Sequence, residues 1–173
     1  MHEIQRDKYP APIRGLAIGD HPLLSILPIA SDSPAIKLVE TDEFPGSFLL
    51  DKAVIKIVAQ DGFCWVDETV PCIILTQNYY QTGGDFDLYL DLIHELTHIR
   101  QVFEGKNIWD ESLPYHRRPT EIEGYAMAVA ECHRLGVDEE AIIQHLSNPW
   151  MTMSQITELL MSTSAFLAQR KQL

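Results

Sequence analysis

Residues 92 to 98 read Leu-Ile-His-Glu-Leu-Thr-His, with His94 and His98 four positions apart. On a helix of about 3.6 residues per turn this spacing stacks the two imidazoles on one face, one turn above the other. Each can then reach a zinc ion at about 2.0–2.1 Å. Glu95 points beside such an ion, where it can take a proton from a water whose pKa the metal lowers to about 7. The chemistry implied is zinc-assisted hydrolysis, with a peptide bond as the first substrate to consider. The same pair would also suit an ordinary amphipathic helix, so the flanks decide. Phe86, Leu88, Leu92, Leu96, Ile99 and Phe103 form an apolar stripe at helical spacing, after the turn-forming Thr82-Gly83-Gly84 and a candidate N-cap at Asp85. Gly105 supplies the stop.

A catalytic zinc takes three protein ligands and keeps a fourth position open. Pro119-Thr120-Glu121-Ile122-Glu123-Gly124-Tyr125 opens the next helical pattern and offers two carboxylates. Thr120 and Glu123 match a capping box, in which Glu123 would bond back to the Thr120 amide. Glu121 has no such local task, and it shares a stripe with Gly124, Tyr125 and Ala128 that would let this helix lie close to the first. Glu121 is therefore the expected third ligand and Glu123 the alternative.

Together His94, Glu95, His98 and Glu121 resemble the motif of the gluzincins, zinc metallopeptidases in which His-Glu-x-x-His on one helix is completed by a glutamate from a following helix. The resemblance covers residues 85 to 128. It implies a zinc cofactor, a peptide or protein substrate, and an edge strand beside the active-site helix along which substrate lies by β-augmentation; Cys72-Ile73-Ile74-Leu75-Thr76 is the candidate strand. Tyr125 stands where many members carry an aspartate that orients a ligand histidine, leaving Asp91 as a substitute or as a plain acid favoured in the first half of a helix. Hydrolysis also needs a group to stabilise the developing oxyanion. The loop before the second helix supplies Tyr115 and His116 as candidates, with Tyr125 behind them. His133 reads as a helix-terminal cation, and His2, His21 and His145 receive no role.

The elements that must position these groups follow from pattern. Residues 1 to 34 carry Pro10, Pro12, Pro22, Pro28 and Pro34, which predicts an extended arm. Residues 35 to 80 contain β-branched runs at 35–39, 53–58, 63–66 and 72–76, with Asp61-Gly62 expected to make a tight hairpin between the second and third and a further turn near Asp67-Glu68. Residues 85 to 173 read as helices at 86–104, 120–135, about 138–147 and about 154–170. Strands first and helices afterwards predict an α+β fold: a small, mostly antiparallel sheet, then a helical zincin-like region, in one domain of 173 residues.

Composition excludes several classes. Thirteen basic against 25 acidic residues give a net charge of −12, which argues against a phosphate backbone as ligand. No apolar run approaches the length of a membrane span, and residues 1 to 8 lack a signal-peptide pattern, so a cytoplasmic protein is expected. Cys64, Cys72 and Cys132 have no Cys-x-x-Cys spacing and read as free thiols. Two rival readings remain: an inactive zincin-like module that binds metal or a protein partner, and a di-iron helix bundle built on Glu95-x-x-His98. The second needs another Glu-x-x-His unit, and Glu131-Cys132-His133 is one residue short of it.

Overall fold

A computed structural model describes residues 8–170. It is α+β, with a four-stranded mixed sheet and seven α-helices. The strands are β1 (Gly19–Pro22), β2 (Val54–Val58), β3 (Cys64–Asp67) and β4 (Cys72–Thr76), in the spatial order β1-β2-β4-β3. The helices are α1 (Pro34–Val39), α2 (Gly46–Lys52), α3 (Gln77–Thr82), α4 (Asp85–Phe103), α5 (Pro119–Leu135), α6 (Glu139–Leu146) and α7 (Met153–Arg170). None is long and apolar enough to cross a membrane.

Three strand expectations are corrected. Residues 35–39 form α1 rather than a strand, because Ser33 caps the Ile36 amide at 3.4 Å and Pro34 supplies a preset first turn. These start signals override the β-branched composition, and Ala35, Ile36 and Val39 are buried. Asp61-Gly62 does not close a hairpin between β2 and β3. Instead the chain crosses the end of β4, with the Thr76 hydroxyl donating to the Gly62 carbonyl at 2.8 Å and the Thr76 amide to the Phe63 carbonyl at 3.0 Å. The hairpin is β3–β4, whose turn is an Asx motif: Asp67 Oδ1 accepts from the Thr69 amide at 2.9 Å and its hydroxyl at 2.6 Å. Finally, β4 is not an edge strand. It pairs parallel with β2 and antiparallel with β3, and all five of its residues are buried, as a continuous apolar run in a central strand requires. β3 is the terminal strand on that side.

The proline-rich arm contributes more than an extended lead. Its residues 19–22 form β1, antiparallel to β2 with Gly19 opposite Ile57, and Leu23–Ser25 make a 3-10 turn. Arg14 fastens the arm to the start of α4, donating to Asp85 Oδ1 at 2.7 Å, to the Gly83 carbonyl at 2.9 Å and to the Tyr80 carbonyl. Asp85 is thus the first helical residue and an ion-pair partner, not the N-cap, which is Gly84.

Helix α4 lies at the centre, packed against β3, β4, α1, α2 and α5. Apart from Asp91, every residue from Leu88 to Gln101 is buried. One apolar stripe is therefore too narrow a description; a helix covered all round must satisfy its polar side chains internally. Arg100 does so through Glu104 and, on α5, Glu123, and Lys106 joins Glu123 at 3.1 Å. This overturns the capping box. The N-cap of α5 is Arg118, Pro119 fills the first turn, and the Thr120 hydroxyl has no hydrogen-bond partner. Glu123 is drawn away by a buried guanidinium, a stronger partner than a neutral backbone amide.

Replacing Glu123 by Ala should therefore cost about 2–3 kcal/mol of stability, the penalty of an under-compensated buried cation, rather than the roughly 1 kcal/mol of a lost cap. Urea unfolding of the variant measures the difference.

Candidate metal centre

Helix α4 carries His94 and His98 on the face turned to α5, with their Nε2 atoms 2.8 Å apart. Helix α5 presents Glu121 from its first turn, where the helix dipole favours a carboxylate. Glu121 Oε2 lies 3.4 Å from His94 Nε2 and 3.5 Å from His98 Nε2. All three side chains are buried, and one donor atom from each falls within 4.8 Å of the others. Two donors held about 2.05 Å from a tetrahedral zinc are about 3.3–3.4 Å apart, so both nitrogen-to-oxygen separations match that edge. The histidine pair is closer by about half an ångström, a gap that rotating either ring would close. His94, His98 and Glu121 can hold a metal ion, and no other such group occurs among the described residues.

Gly124 makes this approach of α5 to α4 feasible. A Cβ at that position would meet the His94 ring at 3.0 Å, closer than nearly all real methyl contacts. Tyr125 then packs edge-on against the same ring, centroids 4.3 Å apart.

The tautomer of His98 follows from a residue that sequence reasoning passed over. Gln101 Nε2 donates to the Thr120 carbonyl at 3.1 Å and to Glu123 Oε2 at 2.9 Å. Its amide oxygen must therefore face His98 Nδ1, 2.7 Å away, so that Nδ1 carries a proton and Nε2 is the ring atom turned to His94 and Glu121. This is the partner that orients a ligand histidine. The signal was present in the sequence: Gln101 stands three residues after His98, on the same helix face. Asp91 does not fill that role. It accepts from the Tyr79 hydroxyl and faces His145 Nε2 at 3.7 Å, while His145 Nδ1 lies 3.3 Å from Asp87.

Burial and charge shape the three acids and bases of the centre. Burial alone would raise the Glu121 carboxyl, but the two facing imidazoles outweigh it and hold Glu121 well below the usual carboxylate range. Burial alone would lower His98; the carboxylates of Glu121 and Glu95, with Gln101, reverse this and lift it to about 9. For Glu95 burial dominates and raises the carboxyl against the opposing effect of His94 and His98. Glu95 Oε1 accepts a weak hydrogen bond from the Cys64 thiol at 3.8 Å, whereas Oε2 is buried with no protein partner. Burial first, then Glu95 and Asp91, push the Cys64 thiol far up, consistent with the free thiols read from sequence.

Tyr115 and His116 part company. Tyr115 lines the cavity beside Glu95, its hydroxyl 3.0 Å from that of Tyr125. Burial, with Tyr125 and Glu121 nearby, keeps its phenol protonated well beyond the usual range. His116 is turned away, with Nε2 3.3 Å from Glu158 on α7, and does not border the cavity; successive side chains of the 3-10 turn Tyr115–Arg117 project about 120° apart, which separates the two. The expectation that His116 is catalytic is not supported by this placement. His21 caps a turn against the Ala17 carbonyl, His133 is exposed, and His2 lies outside the described residues. Glu131 is occupied by the Tyr89 hydroxyl at 2.6 Å and by Arg134, which removes it from any di-iron arrangement.

His94→Ala, His98→Ala and Glu121→Ala should each empty the centre, and Glu123→Ala should leave it filled. Metal content by elemental mass spectrometry after dialysis against metal-free buffer reads the outcome. Searches with protein-family models, curated proteins and solved structures find nothing that matches this chain.

Proposed function

We propose that the chain is a zinc-dependent peptide hydrolase of the gluzincin type. The observation that carries this reading is the unpaired Oε2 of Glu95, buried beside the His94–His98–Glu121 donor set and bordering a cavity. Buried carboxylate oxygens are costly to leave without a partner, and a carboxylate in this position suits a general base. Two imidazoles and one carboxylate make the donor set of a catalytic zinc site with its fourth position open. Bound there, zinc would act as a Lewis acid that polarises a carbonyl and acidifies water.

The chain's own residues supply the remaining chemistry. Glu95 accepts the proton of the attacking water and returns it to the leaving amide nitrogen; its raised affinity for protons favours the first transfer. Tyr115, kept protonated, is the donor for the carbonyl oxygen as it gains charge. The free edge of β3, whose Cys64, Trp65 and Val66 border the cavity, offers backbone groups to an extended substrate. This role passes to β3 from Cys72–Thr76, whose ladder is satisfied on both sides.

Glu95→Gln should lower turnover about 10²–10⁴-fold while zinc content stays at one equivalent. Unchanged turnover would remove Glu95 as the base, and a wild-type chain that binds zinc without cleaving any peptide would favour the inactive module instead. Tyr115→Phe should lower kcat about 10²-fold with little change in KM, as steady-state kinetics on the same substrate would report.

A further inference from the structure

Beside the donor set opens a cavity of about 370 Å³ whose walls are mostly apolar. Phe63, Trp65, Val66, Ile108, Trp109 and Trp150 line it, with Glu95 and the metal-binding side chains at its inner end. The chain has three tryptophans, and all three face this one space. Phe63, Trp109 and Trp150 are 45%, 42% and 55% exposed, an unusual outlay of large apolar surface for side chains that serve no core.

The wall is built to hold its shape. Asn107 closes an Asx turn by accepting from the Trp109 amide at 3.0 Å. Ile108, 2% exposed, anchors that loop in the core while Trp109 is left at the rim. Across the opening, the Trp150 ring packs against Phe63 and Tyr115 at centroid distances of 6.0 and 6.1 Å. Trp65 and Val66 come from β3, so a strand added to that edge passes along the mouth of the cavity.

The geometry points to a substrate class: peptides with a large apolar side chain, aromatic above all, on one fixed flank of the scissile bond, seated in this cavity while the bond lies at Glu95. This inference rests on the peptidase reading above. An acidic side chain would meet the Glu95 and Glu121 carboxylates, and no lysine or arginine lines the cavity to receive it. A basic one would find Glu121 already engaged by two imidazoles and Glu95 committed to the attacking water. Small side chains would leave the tryptophan faces wet and gain little. Since even one methylene in an apolar pocket discriminates about 10-fold or more, a phenyl group against hydrogen should reach about 100-fold or more.

The experiment has two arms. In the first, the zinc-loaded chain is given a peptide library varied on both flanks of the cleaved bond, with Glu95→Gln as control. Phe, Trp, Leu or Met should dominate one flank at least 100-fold over Gly or Asp, and Trp109→Ala should narrow the Phe-to-Ala ratio of kcat/KM about tenfold. In the second, Glu95→Gln protein is titrated with blocked peptides carrying Phe or Gly at the central position, and intrinsic tryptophan fluorescence is followed. The Phe peptide should shift the emission and the Gly peptide should not. Cleavage that depends on Glu95 but shows charged, small or indifferent flanks would overturn the inference and leave the peptidase reading standing. A Phe-specific fluorescence shift without cleavage by the wild-type chain would overturn the peptidase reading and with it the substrate class, leaving a cavity that only binds apolar side chains. Failure of both arms would overturn the inference.

Discussion

A single buried anion, the Glu121 carboxylate, organises the interior of this molecule. It enters from the first turn of α5 and meets the imidazoles of His94 and His98 from α4 at 3.4 and 3.5 Å. A charge this deep is tolerated only with close compensation, and that requirement reaches outward through both helices. Gly124 omits the side chain that would hold the helices apart. Gln101 spends its amide on α5 and its carbonyl on His98, which fixes the imidazole for the same centre. Beyond it Arg100 and Glu123 form a second contact between the same two helices. The polar seam between α4 and α5 is thus continuous, and its order depends on the position of one carboxylate.

The sheet serves this seam from the other side. β4 is fully buried and contributes no edge; its neighbour β3 brings Cys64, Trp65 and Val66 to the face of α4 that carries Glu95. One helix therefore has two differently constructed walls, polar and paired toward α5, apolar toward β3. The site lies where they meet, which is why a carboxylate such as Glu95 can be desolvated on one side and still face histidines on the other.

Much of this was legible in the sequence because it depends on local spacing. The helical period around His94 and His98, the stops at Gly105 and Gly136, and the four C-terminal helices all come from interactions within a few residues. Glu121 does lie with His94 and His98, although the reason for preferring it over Glu123 did not hold: Glu123 is occupied, but by Arg100 rather than by a cap. Residues 35–39 have the composition of a strand, but the Ser33-Pro34 start signal outranks it and sets a helix. Strand order failed for a different reason. Whether Asp61-Gly62 turns the chain back along β2 or carries it past β4 is decided by what covers β4, and no local pattern records that. His116 and Tyr115 were indistinguishable as neighbours in a loop; only the 3-10 turn assigns one to the cavity and the other to Glu158.

The strand order also bears on how the chain reaches its native state. β3 and β4 are joined by a short Asx turn, so this hairpin closes a small loop and can form early. The parallel pairing of β4 with β2, and the clasp of Arg14 on Asp85, join segments far apart in sequence and carry a larger loop-closure penalty. The part of the apolar wall that β3 supplies, Trp65 and Val66, therefore belongs to the fast, local part of folding. The arm that locks the opposite edge belongs to the slow part, so slow refolding phases should report on β1 and its docking, while the β3 edge is already in place.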